Sequence, residues 1–349
     1  MQGLIPKIRK IADNIQQSER KKRELAKALK KDVSMELVCG VEPDRLESEK
    51  VVGVDGGIVK KSLHGFDCML VRGAGACFHY RKGKIENVEY WPSKSPPSMP
   101  DVVEGMSDLD WAYYTSLVRV RTELDTALEC ARWFKPSVML LDGSVVPHYA
   151  DRPSKSSGVY KLYQDVIGKY KQLYHKALNE RMMLAGIIED SRNTVFCELL
   201  KKLSQARSIP GRGMLSTARD TSILSLMLET GERTRSFKYT KAPEKHPVLR
   251  DLGDCAGSIH SFYLKTAKFD RPIKVDYLVS SSCDAGGLAS LILAISGHHP
   301  HYGLPAPIIE ADNVAKLSEA DMERFYSRIL SYTGEVPGMS RLRREQRPF

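Results

Sequence analysis

The sequence predicts a single α/β domain with an N-terminal helical arm. Three observations lead there. Hydrophobic residues supply 42% and charged residues 28% of the 349, the balance of a globular chain with a sizeable core. Valine- and leucine-rich runs interleave with stretches of three- and four-residue apolar spacing, as expected of strands packed against helices. No internal repeat is visible, and no loop is long enough to separate two independent domains.

The elements follow in order. Residues 4–31 predict one helix, because Leu4, Ile8, Ile11 and Ile15 recur at three- and four-residue steps. Its second half, ERKKRELAKALKK, carries seven basic residues and two acids in thirteen. Such a run suits a solvated face, or an arm that packs on a partner or lies along a phosphate backbone. VVGVDGGIV, FDCMLVRGAGACFHY and KGKIENVEYWP predict a three-strand meander over 50–92, with Lys82-Gly83-Lys84 as a turn and SKSPPSMP as a proline-rich loop after it. A helix is expected from Asp108 to Phe134, with Leu117, Val120, Leu124, Ala127, Leu128 and Ala131 as its apolar stripe and Pro136 as its stop. SVMLLDGS reads as a short buried strand, SGVYKLYQDVIGKYKQLYHKAL as a helix, and LAGIIEDS as a strand running into an acid pair. Beyond these come a glycine-rich loop (IPGRGMLS), a helix from Asp220 to Glu229, two β-like runs (GSIHSFYLKTAKF and PIKVDYLVS), and a core helix (AGGLASLILAISG). The expected organisation is a basic helical arm at 1–45, one α/β domain at 46–330, and a basic, mobile tail at 331–349.

Several classes drop out. No apolar run approaches the roughly 18–20 residues that span a bilayer. The N-terminal MQGLIPKIRKIADNIQQ is amphipathic and lacks the apolar core of a signal peptide, so a cytoplasmic protein is expected. The seven cysteines form no CxxC pair, which argues against a disulfide framework or a zinc ribbon. Lys plus Arg number 53 and Asp plus Glu 43, a net charge of +10 that suits a polyanionic partner such as DNA.

The acids carry the chemistry. Asp55 (VVGVDGG) and Asp142 (VMLLDGS) each follow a buried run and precede glycine. Two carboxylates at the ends of adjacent strands would converge on one point. Without a cation they repel and one takes a proton; with Mg²⁺ or Mn²⁺ between them they are hard oxygen ligands. The alternative is that each Asp-Gly is a turn. Glu123 borders the apolar stripe of the 108–134 helix, a position that is costly without a partner. Asp125 and Glu129 compete with it, Glu129 from the more polar side. A strand acid, a helix glutamate and a second strand acid make a two-metal constellation able to activate water and stabilise the leaving oxygen of a phosphodiester.

These residues resemble the NurA nucleases. The resemblance rests on VVGVDGG, the meander, the helix with R-x-R-T-E, LLDGS, GIIEDSRN, ARDTSILSLML, SFYLK and YGLPAPIIEADNVAKLS, and runs from about residue 48 to 326. It implies a ribonuclease-H-like mixed sheet and a Mn²⁺-dependent DNA exonuclease or endonuclease that processes broken ends; Mg²⁺ is the alternative metal. It also implies a homodimer, partnership with the hexameric HerA translocase, and an archaeal source. By position, Asp55, Glu123 and Asp142 match the family's metal-binding acids. Two departures stand out: Glu189 where the family often has Lys, and Asp312, in Ala311-Asp312, where it often has an Ala-His pair. Asp312 remains a catalytic candidate, since a carboxylate suits the same metals.

Other candidates are weaker. Arg192, Arg207 and Arg212 are expected near DNA phosphate, and Tyr263 is weighed as a base-stacking residue against a core aromatic. Asp220 is expected to cap the helix that follows it. HHPHY at 298–302 reads as a loop rather than a zinc site, because Pro300 breaks helical spacing. IPGRGMLS lacks the Lys-Ser/Thr of a P-loop, and no GxSxG is present. Two further functions compete: a DNA-holding scaffold subunit with weakened catalysis, and an actin-like or sugar-kinase ATPase using GDCAGS or CDAGGLAS as its glycine loop.

Overall fold

The computed structural model describes residues 4–207 and 209–334. Among them the helices are α1 (Leu4–Leu37), α2 (Asp108–Phe134), α3 (Tyr160–Glu180), α4 (Val195–Ala206), α5 (Asp220–Met227), α6 (Ala285–Ala294), α7 (Ala306–Ala315) and α8 (Glu319–Thr333). The strands are β1 (Val38–Gly40), β2 (Ser48–Ser62), β3 (Phe66–Arg81), β4 (Lys84–Trp91), β5 (Met99–Glu104), β6 (Val138–Asp142), β7 (Met183–Ile188), β8 (Glu232–Thr234), β9 (Phe237–Lys238), β10 (Ile259–Leu264) and β11 (Ile273–Leu278).

The strands form one mixed sheet in the order β1-β8-β10-β11-β7-β6-β2-β3-β4, with β5 on β3 and β9 on β10. β2, β6 and β7 are parallel; β3 and β4 extend the sheet as an antiparallel meander, and β11 is antiparallel to β7. The segment β4-β3-β2-β6-β7 is ribonuclease-H-like. VMLLD and MLAGII lie at its centre, covered on both faces, which is why they read as continuous apolar runs. α2 and α3 cover one face over Val52, Val54, Met139 and Leu141. α6 and α7 cover the other over Val51, Leu140, Ala185 and Ile187.

α2 begins where Ser107 caps it, accepting from Asp110 N at 3.1 Å, and ends where Lys135 turns left-handed (φ 46°) ahead of Pro136. α1 is longer than its periodicity predicts. Leu25, Ala26, Leu29 and Leu37 bury into a third cluster with α4 and α5, and β1 then pairs with β8. Ile5, Ile8, Ile11 and Ile15, at the outer half of α1, remain 50–57% exposed. Six of the seven cysteines are buried and all are free. No helix of the described residues is long and apolar enough to cross a membrane.

Several expectations are corrected. The expected proline-rich loop ends in β5, where Met99 and Pro100 pair with Val71 and Leu70 of β3; proline is tolerated because β5 has no strand on its other side. α4, α7 and α8 were not predicted: α4 is amphipathic, with Phe196, Cys197 and Leu200 buried, but makes no side-chain cap bond at Thr194; α7 opens at Pro305 and Pro307, which read as turn residues; and α8 buries only Met322 and Tyr326. Residues 331–333 of the expected tail close α8, and 335–349 lie outside the described residues.

Candidate active site

The largest correction concerns Asp55. It does not end a strand: β2 runs unbroken through Asp-Gly-Gly to Ser62, paired with β3 throughout. What ends is its other neighbour. The parallel β2–β6 ladder stops at Val54↔Leu141, so the next positions, Asp55 and Asp142, stand side by side where β6 finishes. Asp55 is thus held by a continuous strand, and Asp142 by a turn. Gly143 leaves β6 at φ 103°, where a side chain would be strained, and its N–H donates to Ile187 O at 2.8 Å. Ser144 Oγ then donates to the buried Asp276 Oδ2 at 2.7 Å.

The glycines around Asp55 answer to packing rather than to a turn. A Cβ on Gly53 or Gly57 would collide with the α7 backbone at Pro307 O or Ala315 O. A Cβ on Gly56 would lie 3.4 Å from Glu123 Cβ on α2. Stripped of side chains, β2 lets a helix approach from each face, α2 bringing Glu123 and α7 bringing Asp312.

Glu123 is 7% exposed, and its Oε2 pairs with Arg119 Nη1 at 3.0 Å, one helical turn earlier. Arg119 also reaches toward Gly56 O at 3.5 Å. Asp55 is 6% exposed, with its Oδ1 accepting from Gly56 N at 2.6 Å. Asp142, Asp312, Glu189 and Tyr302 line one cleft of about 380 Å³, floored by Ile187 and Ile308. Tyr302 Oη donates to Glu189 Oε1 at 3.1 Å.

Burial followed by mutual repulsion raises these acids. Burial lifts Asp142 to about 7, helped by Asp55, Glu189 and Asp312. Burial lifts Glu123 to about 8 against the pull of Arg119. Asp55 is raised by burial and by Asp312, against the Gly56 N–H and Arg119. Among the described residues no three His, Cys, Asp or Glu side chains already form a metal cage. The donor set nevertheless suits a hard divalent cation, whose charge would relieve the repulsion that raises Asp142 and Asp55.

Arg119 and Tyr302 were not singled out from sequence. Arg119 was visible in R-x-R-T-E as the residue four before Glu123; Tyr302 was hidden in a stretch weighed only for its histidines.

The other candidates disperse. Tyr263 is wholly buried, donating to Asp220 Oδ2 at 2.8 Å and lying 3.3 Å from Ser191 Oγ, so it is a core residue and not a base-stacking one. Asp220 opens α5, yet its carboxylate caps α4 instead, accepting from Phe196 N at 3.0 Å and Cys197 N at 2.8 Å. Arg207 is tied to α1 through Asp32 O and Glu36, a structural clasp that replaces its expected place at phosphate. Arg212 is exposed at the start of a 3₁₀ turn (Arg212–Ser216) beyond α4. Arg192 is exposed on the loop leaving β7. The stretch 298–302 is a loop, as expected. Of the two glycine stretches of the ATPase reading, CDAGGLAS has its glycine N–H groups occupied. GDCAGS sits in a 3₁₀ segment, and in CDAGGLAS the Asp284 carboxylate takes the Gly286 and Gly287 N–H groups at 2.6 and 3.2 Å.

A family model described as NurA domain matches residues 49–317. The structure is similar to that of the NurA nuclease from Sulfolobus solfataricus, at 16% identity over 95% of this chain and 97% of that one, with a TM-score of 0.62. It is also similar to a further NurA structure (11% identity, 96% and 99% covered, TM-score 0.54) and to NurA with manganese (13%, 95% and 98%, TM-score 0.50). No curated protein matches the chain.

Proposed function

This chain belongs to the NurA family, and on that premise we propose that it is a divalent-metal-dependent nuclease hydrolysing DNA phosphodiesters at the Asp55–Asp142 site. The observation that carries the reading is the end of the β2–β6 ladder, which sets those two carboxylates abreast with buried Glu123 behind them. Asp55, Asp142 and Glu123 would hold the metal. When bound, it supplies positive charge that polarises the scissile phosphate and makes water a better nucleophile. Arg119 fixes the Glu123 carboxylate through its 3.0 Å pair and offsets part of the local negative charge. Asp312 and Glu189, which line the same cleft as Asp142, would add carboxylate oxygens for a metal. Mn²⁺ is the favoured ion, since a structurally similar NurA was solved with manganese, and Mg²⁺ is second. Family membership supports a role at broken DNA ends, a homodimer and a HerA-type translocase partner; the net charge of +10 supports DNA as substrate.

The test is digestion of end-labelled single- and double-stranded DNA with Mn²⁺, Mg²⁺ or EDTA, beside Asp55→Ala and Asp142→Ala. Metal-dependent loss of label in the wild type alone is expected. Equal cleavage by Asp55→Ala refutes the assignment. One observation favours a second reading, a DNA-holding subunit: the cleft carries Glu189 and Asp312 where the family often has Lys and His. Intact ends in Mn²⁺ with the translocase present, and DNA still bound, would select it.

A further inference from the structure

A second cleft, of about 320 Å³, opens on the far side of the loop leaving β7. Its walls carry Arg192, Arg219 and Arg271, with the Thr221 and Ser222 positions at the start of α5. Its one acid, Asp190, is paired with Arg271 at 2.8 Å. Three guanidinium groups thus face one carboxylate, leaving about two positive charges unmatched. Among the described residues Arg192 and Arg219 make no side-chain ion pair or hydrogen bond, and both are exposed.

The floor beneath them is built, not incidental. Asp220 is fully buried and ties three elements together: it accepts from Tyr263 Oη on β10 and from the Phe196 and Cys197 N–H groups of α4, while opening α5 itself. Asp220 N donates to Asn193 O at 2.9 Å, and Thr221 Oγ1 donates to Ser191 O at 3.4 Å. The backbone on either side of the cleft is therefore stitched together, so Arg192 and Arg219 project from fixed points. The cleft also receives the positive end of the α5 dipole. Fork-shaped donors on rigid backbone at a helix N-terminus suit a phosphate group.

Position supplies the partner. Glu189 lines the carboxylate cleft and Arg192 lines this one. Three residues of chain reach at most about 10 Å, the axial rise of about three base pairs of duplex at about 3.4 Å each. We propose that the Arg192–Arg219–Arg271 cleft binds a phosphate of the same DNA strand whose phosphodiester lies at Asp55 and Asp142. This rests on the nuclease reading for its strand, though the phosphate site itself is separately testable. The phosphate is either internal or a terminal 5′-phosphate.

The experiment is fluorescence anisotropy of labelled DNA in EDTA, with matched 5′-phosphate and 5′-hydroxyl ends, across a salt series. The proteins are the wild type, Asp55→Ala, Arg192→Ala/Arg219→Ala and Arg192→Lys/Arg219→Lys. The double alanine variant should bind on the order of tenfold or more weakly. Its log–log salt slope should fall by about 1–2. The lysine variant should keep the slope, since lysine retains the charge. Loss confined to the 5′-phosphorylated DNA assigns a terminal phosphate; equal loss on both assigns an internal one. Unchanged affinity and slope in the alanine variant, or no DNA binding by the wild type, overturns the proposal. Asp55→Ala should bind like the wild type and fail only in cleavage, so the nuclease reading and the phosphate site fail in different assays. An unchanged urea midpoint is expected, because neither arginine holds a partner in the fold.

Discussion

Glu123→Gln in the metal-free protein offers a sharp test of the site's electrostatics. Burial lifts Glu123 from its usual 4.5 to about 8, and Asp142 from 3.8 to about 7. Below about pH 3 both carboxyls are protonated in folded and unfolded chains alike, and stability is at its fullest. As pH rises, the unfolded chain releases these protons while the folded one retains them, so stability falls until the folded groups also ionise. Each retained proton steepens the fall by about 1.4 kcal/mol per pH unit. Between pH 5 and 7 the wild type in EDTA should therefore lose stability at up to roughly 3 kcal/mol per pH unit from the two groups. Gln keeps the shape and an acceptor for Arg119 but cannot titrate. Its curve should be shallower by about 1.4 kcal/mol per pH unit, a gap of about 3 kcal/mol accumulated over that range. Urea denaturation at half-unit pH steps measures it. Parallel curves for variant and wild type would refute the reasoning, because Glu123 would then carry the same proton count folded and unfolded. Saturating Mn²⁺ should flatten the wild-type fall, since ligand binding requires the ionised carboxylates.

Three further outcomes follow. Gly53→Ala places a Cβ into Pro307 O of α7; it should destabilise by about 1–3 kcal/mol and weaken Mn²⁺ binding by calorimetry, because α7 carries Asp312, and unchanged values for both would show that α7 yields freely. Tyr263→Phe removes the 2.8 Å bond to Asp220 and should lower stability by about 1 kcal/mol with DNA affinity unchanged; a lost affinity with intact stability would restore Tyr263 as a DNA contact. Asp220→Ala strips both capped N–H groups at the start of α4 and should cost about 1–3 kcal/mol, with amide exchange in Val195–Ala206 accelerating first; uniform protection across α4 would contradict the cap.

Much of the fold was legible because its period was strong. VMLLD and MLAGII are apolar on both faces, so any reading makes them central strands. α2 carries a long stripe with Ser107 before it and Pro136 after it. α7 and α8 were not legible: Pro305 and Pro307 at the start of α7 read as turn residues, and α8 has only Met322 and Tyr326 buried. β5 was hidden by Pro100 and the two prolines just before it. Within the site, Asp55 and Asp142 stood out by the apolar runs before them, and Glu123 by its place beside a stripe. The reason given for Asp55, a strand end, was nevertheless wrong.

The amino-acid order by itself determined which segments are strands and helices with strong period, which acids border buried runs, and the surplus of positive charge. Tertiary structure alone decided what those acids face. It set Asp55 beside Asp142 through a parallel ladder between distant strands, laid Gly56 of β2 against Glu123 of α2, and brought α7 across glycines that looked like a turn. It also buried Tyr263 against Asp220, tied Arg207 to α1, and gathered Arg192, Arg219 and Arg271 from three separate segments around one cleft. The physical reason is range. Apolar period records, over a few residues, which side of an element avoids water. Which side chains meet depends on strand register and helix approach between distant segments, and no local pattern contains those distances.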